Sequence, residues 1–286
     1  MDKNLIFDLG LHKGEDTKHY LKRGFKVVAI EANEELVKLN QNIFSEYLKN
    51  GKLVIINGAI SDAKTNEITF YKNKKKSVWG TVVKDMADRN DRLLGAESIE
   101  IKVKVIKLKD LFAEYGVPYY LKIDIEGMDL FALKTLLDCE TRPKYVSIES
   151  TKVDFNQLVE EFNVFEKLGY GEFKLIQQAE IHKQKIPSTT TEGKFINFNF
   201  EKGSSGLFGS DLSGEWISRN KAIKKYKYIF YLYRFFGDNS IFQRYSKVFI
   251  VRIVKALLVR LFKTSWSALP GWYDTHAKLK LPVNTK

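Results

Sequence analysis

Short apolar runs alternate with amphipathic, helix-like stretches through the first half of the chain. Runs of four to six largely apolar residues predict buried strands, whereas apolar residues that recur every three or four positions predict helices. The predicted strands cover residues 5–8, 26–30, 53–57, 119–124 and 145–149, and the predicted helices cover 15–22, 34–48 and 129–137. This alternation is typical of an α/β protein with a mostly parallel, doubly wound sheet.

The pattern changes after residue 149. The elements predicted there are a helix near 156–168 and strands near 173–177 and 195–200. We expect the late strands to give the sheet an antiparallel edge. Alternating segments at 66–71 and 99–106 predict added β structure. The lysine-rich stretch 72–98 between them predicts a surface excursion over the ligand edge of the sheet.

The stretch YLKIDIEGMD at 120–129 places three charges in a buried strand pattern. Side chains alternate faces along a strand, so Lys122, Asp124 and Glu126 are predicted to share one face. Isolated interior charges cost several kcal/mol each unless they are paired or serve a ligand. Ligands of such sheets bind beyond the carboxyl ends of the strands, where Glu149 ends the neighbouring strand. The alternative is a structural ion pair between Lys122 and Asp124, with Glu126 capping the next helix.

A glycine pattern follows the first predicted strand. Gly10 and Gly14 allow a tight turn and a close ligand approach before a helix N-terminus. Glu31 ends the second strand, where a carboxylate can bind both ribose hydroxyls of an adenosine. The G-x-x-x-G spacing differs from that of dinucleotide folds and fits S-adenosylmethionine (SAM), which has no pyrophosphate. The motif NGAISD at 57–62 is placed to contact an adenine ring. The alternatives are ordinary turns at both motifs.

The segments FDLGLHKGEDT, VVAIEANEELV, NGAISD, YLKIDIEGMD and YVSIES together resemble the FkbM-type SAM-dependent methyltransferases. The resemblance covers roughly residues 4–215 and includes GSSGLFGSDLSGEW after the sheet. It implies a Rossmann-like class I fold and, typically, O-methylation of sugars or related hydroxyl-bearing compounds. The resemblance thus implies a SAM-dependent methyltransferase domain, which we expect to occupy residues 1–218.

The resemblance also implies roles for individual residues. SAM contacts are expected from Asp8, Gly10, Gly14, Thr17 and Glu31, and Asp124 and Glu126 are expected beside the transferred methyl group. The chain departs from the family at Leu11-His12, where Ala-Asn is commoner, and this change affects the contact to the methionine end of SAM. The full set of predicted cofactor residues is Asp8, Gly10, His12, Gly14, Thr17, Glu31, Ala32, Ala59 and Asp124.

The expected chemistry is alignment of an acceptor hydroxyl against the sulfonium methyl, with removal of the hydroxyl proton. Trp272 and His276 are predicted as surface residues or, alternatively, as a ring that stacks on a sugar and a proton acceptor. The candidate bases are Glu126, Asp124 and His276. The full predicted catalytic set is Lys122, Asp124, Glu126, Glu149 and His276. A competing mechanism uses Mg²⁺, held by Asp124, Glu126 and Glu149, to lower the hydroxyl pKa.

The net charge of +12 is concentrated near the end of the chain. Residues 219–263 hold 12 Lys and Arg against one acid, Asp238, whereas the rest of the chain holds 35 basic and 34 acidic residues. We therefore expect residues 219–286 to form a basic, aromatic helical extension. An anionic membrane surface is its predicted partner, and the alternatives are docking on the protein's own core and binding of nucleic acid.

The cysteine content bears on the cellular compartment. A single cysteine, Cys139, excludes an internal disulfide framework, and no Cys/His spacing resembles a zinc site. The N-terminus enters a strand-like segment without the pattern of an export signal. We expect a cytoplasmic protein, peripheral at the inner face of a membrane, that methylates a glycan or glycolipid-linked saccharide. The alternatives are an RNA or DNA methyltransferase and a non-catalytic SAM-binding module.

Overall fold

The structure is a computed structural model that describes residues 1–151, 154–201, 203–236, 245, 248–261 and 271–280. Contacts divide the chain into two compact units. The first comprises Met1–Ile148, Lys185–Phe198 and Leu207–Leu212, and the second comprises Glu149–Gln184, Asn199–Gly206 and Ser213–Lys286. Each unit is therefore built from three separate segments, and the segments of the two units alternate along the sequence. The predicted boundary at residue 218 stays a prediction.

The first unit contains a five-stranded parallel sheet. Its strands, in chain order, are β1 (Asp2–Leu9), β2 (Lys26–Glu31), β3 (Leu53–Asn57), β7 (Pro118–Ile123) and β8 (Tyr145–Glu149). Their spatial order is β8-β7-β1-β2-β3. Ile6, Phe7 and Leu121 are fully buried, as expected where both faces of a parallel sheet are covered. The predicted α/β class with a mostly parallel sheet is confirmed.

Helices join these strands close to the predicted positions. They are α1 (Glu15–Lys22), α2 (Glu34–Ile43), α3 (Ser45–Lys49), α4 (Lys84–Leu94), α5 (Leu108–Tyr115) and α6 (Asp129–Thr135). The prediction of one helix over 34–48 was wrong, because the helix is interrupted at Phe44. Residues 136–138 continue α6 as a short 3₁₀ turn.

A small sheet carries the excursion predicted for residues 72–98. Its strands are β4 (Ala59–Ile60), β5 (Glu67–Asn73) and β6 (Ser98–Ile106); β5 and β6 pair antiparallel, and β4 joins β6 in parallel. The excursion contains a 3₁₀ turn at Ser77–Trp79 and the helix α4, which is followed by Gly95 in a left-handed conformation. The sequence pattern missed α4, whose residues are mostly polar.

The segment Leu207–Leu212 lies in the core of the first unit. The Phe208 ring stacks on Tyr120 with ring centroids 4.3 Å apart, and it also meets the edges of Tyr20 and Phe25. The guanidinium of Arg23 pairs with Asp211 in the same segment. These contacts tie a distant part of the sequence to α1 and β7.

The second unit is built on antiparallel strands. Its elements are α7 (Phe155–Lys167), β9 (Tyr170–Gln177), β10 (Ile217–Ser218), α8 (Arg219–Phe236), α9 (Phe249–Leu261) and β11 (Tyr273–Leu279). Both β10 and β11 pair antiparallel with β9. The strand predicted at 195–200 is absent, and β11 is the long partner of β9 instead. Residues 273–279 are therefore a strand within the region predicted as helical.

The two helices of the basic segment differ in their contacts. Ala222 and Tyr226 of α8 are buried, and the Tyr226 hydroxyl lies 2.6 Å from Thr275 Oγ1 on β11. The Phe230 ring meets Phe155 of α7 edge to face. By contrast, Phe249 and Leu261 at the ends of α9 are largely exposed. In the described part of the chain, no helix combines the length and apolar character that crossing a bilayer requires.

Candidate active site

The loop after β1 crosses the end of β2. The amides of Gly10 and Leu11 both donate to the carbonyl of Ile30 at 3.0 Å. Gly10 has a left-handed backbone, and a Cβ there would overlap the carbonyl oxygen of Asp124. A Cβ at Gly14 would overlap the side chains of Asn40 and Phe44. Close packing alone therefore requires both glycines of the predicted cofactor motif.

Glu31 anchors this loop through both of its carboxylate oxygens. Oε2 accepts a hydrogen bond from the His12 amide and Oε1 accepts one from the Asn33 amide, each at 2.8 Å. Burial raises the pKa of Glu31, and the two amide hydrogen bonds oppose that shift. Each carboxylate oxygen can accept more than one hydrogen bond. Glu31 therefore retains acceptor capacity for a pair of hydroxyl groups, which fits the role predicted for it with the ribose of SAM.

His12 connects the loop to neighbouring segments. Its Nδ1 lies 3.2 Å from Glu15 Oε1, its Nε2 lies 2.8 Å from Ser77 Oγ, and its carbonyl accepts a hydrogen bond from Asn40 Nδ2 at 2.7 Å. The backbone of His12 is left-handed, with φ of 50°. The imidazole thus ties the end of the loop to the 3₁₀ turn of the excursion.

Lys122 is an interior cation surrounded by carboxylates. Its Nζ lies 3.1 Å from Asp8 Oδ1 and 3.7 Å from carboxylate oxygens of both Asp16 and Asp124, and it donates to the carbonyl of Gly10 at 3.3 Å. Burial lowers the pKa of Lys122, but the three carboxylates outweigh burial and raise this pKa well above 10.5. Lys122 therefore stays charged. Its contacts match the structural ion pair that was the alternative to a catalytic role, with Asp8 as the nearest partner.

Asp8 and Thr17, both predicted to contact SAM, are buried in the same network. The Thr17 hydroxyl donates to Asp8 Oδ2 at 2.7 Å, while Asp8 Oδ1 meets Lys122. Neither side chain reaches the surface. The structure thus gives these two residues an interior role, in which they hold the end of β1 against α1 and β7.

The acids after β7 come together through a turn. β7 ends at Ile123, so strand alternation, the basis of the prediction, does not extend to Asp124 and Glu126. Glu126 instead has a left-handed backbone with φ of 43°. Burial, followed by repulsion from Asp124 and Asp129, raises the pKa of Glu126 well above 4.5, and Arg89 opposes this shift. The turn thus brings the carboxyl groups of Asp124, Glu126 and Asp129 close enough to influence one another.

Asp129 is a member of this group that the sequence analysis did not assign to the site. It is buried at the start of α6, and the Ile125 amide donates to its Oδ1 at 3.4 Å. Burial and the nearby Asp124 raise the pKa of Asp129 to about 7. Its position in the first turn of a helix was the available signal, but acids are common there because they interact favourably with the helix dipole.

The excursion holds the turn that carries Glu126. The Thr81 hydroxyl donates to the Glu126 carbonyl at 2.7 Å, and a Cβ at Gly127 would lie 2.6 Å from Met86 Sδ on α4. Among the residues that the structure describes, His12 and Glu126 are the two non-glycine residues with left-handed backbones. Both are hydrogen-bonded by the segment 77–81. The predicted excursion therefore contacts both of these residues of the candidate site.

The motif at 57–62, predicted to contact adenine, begins next to Glu31 in space. Asn57 Nδ2 donates to the Glu31 carbonyl at 2.9 Å. Ala59 belongs to a small apolar cluster with Phe70 and Val103, against which Ala32 packs. These residues offer an apolar surface beside Glu31, and their contact with an adenine ring stays a prediction.

Two predicted catalytic residues belong to the second unit. Glu149 ends β8, and its place among the acids stays a prediction. His276 lies on β11 in register with Lys174 and is buried. Burial, with repulsion from Lys174, lowers the pKa of His276 to about 3, so its ring is neutral at physiological pH. This buried position gives no support for His276 as the base. Over the described ranges, no group of three or more His, Cys, Asp or Glu is arranged to hold a metal ion.

The chain was compared with known protein families, curated sequences and solved structures. No curated protein matches the sequence. The structure is similar to that of methyltransferase FkbM from Methylobacillus flagellatus KT, with 15% identity, a TM-score of 0.38, and coverage of 61% of this chain and 40% of that one. It is also similar to precorrin-6y C5,15-methyltransferase from Geobacter metallireducens GS-15, with 10% identity, a TM-score of 0.33, and coverage of 70% and 76%. The family described as the methyltransferase FkbM domain matches residues 8–171, more than half of the chain. The chain therefore belongs to the FkbM methyltransferase family.

Proposed function

We propose that this protein methylates a hydroxyl group of a saccharide, carried on a glycan or a glycolipid, with SAM as methyl donor. The proposal rests on one observation. Glu31 is the last residue of β2, Asp124 and Glu126 follow β7, and β2 and β7 lie on either side of β1. The parallel pairing of β2 and β7 with β1 puts these groups at the same end of the sheet. Ligands of open α/β sheets bind at this end.

S-adenosylmethionine is the cofactor of methyltransferases of this family, and it supplies an activated methyl group on a sulfonium centre. Glu31 would hold the ribose hydroxyls, and the loop through His12 would border the methionine end. The Asp124 side chain is part-exposed at 30%, so it can face a ligand while it remains 3.7 Å from Lys122. We assign the binding of the cofactor to these groups.

Glu126 is the proposed general base. Methyl transfer to a hydroxyl requires that the acceptor oxygen lose its proton, and a carboxylate with a raised pKa accepts a proton better than an ordinary one. The raised pKa of Glu126 follows from burial and from Asp124 and Asp129. Asp124 lies 3.7 Å from Lys122, and its proximity to Glu126 is one cause of the raised pKa of Glu126.

A methyl-transfer assay tests this proposal. Purified protein is incubated with SAM and separate panels of oligosaccharides, glycolipids, RNA and DNA, and methylated products are identified by mass spectrometry. We expect methylation of a saccharide hydroxyl by the wild type. Methylation of a nucleobase, or of no saccharide in the panels, would contradict the proposal.

The place of reaction is part of the same proposal. We propose that the protein meets its acceptor at an anionic membrane surface through the cationic segment 219–263. The buried contacts of α8 with its own unit reduce the part of this segment that is free to bind lipid. Basic residues near an anionic bilayer contribute about 1 kcal/mol each, so a few suffice for peripheral attachment.

A further inference from the structure

The two basic helices of the second unit expose their apolar residues very differently. Ala222, Tyr226 and Ile229 of α8 are buried against the unit. In α9, large apolar side chains remain exposed: Phe249 74%, Ile250 69%, Ile253 43%, Leu257 62% and Leu261 73%. α8 therefore has a partner within the unit, whereas these side chains of α9 face away from the protein.

Most of these exposed residues share one side of α9. Ile250, Ile253, Leu257 and Leu261 are separated by three or four positions, which places them along one helix face. Arg252 lies about 200° around the helix from Ile250, on the opposite side. α9 is thus amphipathic. At 13 residues it is shorter than the roughly 20 residues that a bilayer-spanning helix needs.

The charges of α9 indicate its partner. The helix contains Arg252, Lys255 and Arg260 and no acidic residue. A second copy of the same helix would bring like charges together with no acid to pair them. A nucleic acid would pair the charges but would leave the apolar face in water. An anionic bilayer satisfies both faces, because phosphates lie at its surface and acyl chains lie just beneath.

We propose that α9 is the membrane-binding element of this protein and lies in the plane of an anionic bilayer. Ile250, Leu257 and Leu261 enter the acyl boundary, and Arg252 and Arg260 meet the lipid phosphates. This inference rests on the membrane part of the proposed function and narrows it from residues 219–263 to residues 249–261. It is independent of which saccharide accepts the methyl group.

Vesicle co-sedimentation of the full chain tests this inference. The vesicles contain phosphatidylcholine alone or phosphatidylcholine mixed with phosphatidylserine, across a series of salt concentrations. The variant is Leu257→Glu, and the control is Tyr231→Glu on α8, since the two side chains are almost equally exposed at 62% and 60%. We expect the wild type to bind the anionic vesicles. Leu257→Glu should reduce that binding by about tenfold or more, and Tyr231→Glu should change it less than about threefold.

Arg252→Glu separates the electrostatic contribution to vesicle binding from the apolar contribution. We expect it to weaken binding at low salt and to make the remaining binding less sensitive to salt. Unfolding curves of all variants should match the wild type, because each changed side chain is exposed. Binding by Leu257→Glu equal to that of the wild type would overturn the inference and leave the membrane proposal intact. If the wild type binds neither vesicle while it still methylates a soluble saccharide, the membrane proposal fails together with the inference.

Discussion

The side-chain hydroxyl of Thr81 donates a 2.7 Å hydrogen bond to the backbone carbonyl of Glu126. Thr81 is itself fixed, because its amide and carbonyl both pair with Tyr71 and its hydroxyl accepts from the Val83 amide at 3.0 Å. The turn that presents the Glu126 carboxyl is therefore held from a segment more than 40 residues earlier in the chain. We infer that the position of the proposed base depends on this contact.

Thr81→Val tests this dependence, because valine keeps the branched shape and removes the hydroxyl. A left-handed backbone at a non-glycine residue costs roughly 1–3 kcal/mol, so loss of the contact should let the Glu126 turn relax. We expect kcat to fall by about tenfold, with the affinity for S-adenosylhomocysteine changed less than about threefold. Thr81→Ser should restore most of kcat. An equal loss of kcat in Thr81→Val and Thr81→Ser would mean that Thr81 acts through packing and not through this hydrogen bond.

Glu126→Gln removes the proposed base and keeps its size. We expect methyl transfer to fall by roughly 10²-fold or more, with S-adenosylhomocysteine affinity nearly unchanged. In the wild type, kcat should rise with pH through the raised pKa of Glu126, because only the deprotonated form accepts a proton. Glu126→Gln should lose this rise. Addition of EDTA distinguishes the competing Mg²⁺ mechanism, since only metal-assisted transfer would stop. Full turnover by Glu126→Gln would refute the assignment.

Lys122→Met should destabilise the fold strongly. It leaves the buried carboxylates of Asp8 and Asp16 without their cation, and removal of one partner of a buried pair typically costs about 3–5 kcal/mol. Lys278→Met is the matched control, because Lys278 forms a part-exposed pair with Glu172 at 2.7 Å. We expect the control to cost less than about 1 kcal/mol. Urea denaturation measures both, and similar costs would show that Lys122 is not a stabilising centre.

Asp129→Asn should stabilise the protein at alkaline pH. The pKa of Asp129 is about 7 in the fold, whereas an Asp carboxyl in an unfolded chain has a pKa of about 3.9. The folded state thus binds this proton more tightly, so the group's stabilising contribution is complete below about pH 4 and is lost as pH rises through about 7. Asparagine carries no charge and keeps an oxygen for the Ile125 amide.

The expected gain in unfolding free energy is about 1–3 kcal/mol at about pH 8, and it should shrink toward zero as the pH falls to about 4. Urea denaturation of wild type and Asp129→Asn at both pH values measures it. A constant difference between the two proteins at both pH values would mean that the carboxyl of Asp129 does not titrate as proposed.

The elements of the first unit were predictable because their signals are local. Helix α1 and strand β3 have the predicted bounds, since each is marked by its own periodicity and by flanking glycines or polar residues. The strand β11 was not found, because its partner β9 lies about 100 residues earlier and its own sequence alternates only weakly. Pairing between distant segments leaves little trace in either one.

The site was predictable in its residues more than in its contacts. The charges near 122–126 pointed to the correct end of β7, but the pairing of Lys122 with Asp8 depends on the register between β7 and β1. The hydrogen bond from Thr81 to Glu126 depends on how the excursion folds back. Neither follows from spacing along the chain. Burial of His276 likewise depends on β11 lying in a sheet.

Calorimetric titration with S-adenosylhomocysteine tests whether Glu31 and the loop after β1 bind the cofactor. Glu31→Ala is compared with the wild type and with Glu35→Ala, whose side chain is 77% exposed on the next helix. Charge-assisted hydrogen bonds contribute about 1.5–3 kcal/mol, so we predict roughly 10- to 150-fold weaker binding by Glu31→Ala and wild-type binding by Glu35→Ala. Unchanged affinity in a folded Glu31→Ala variant would show that the cofactor binds elsewhere.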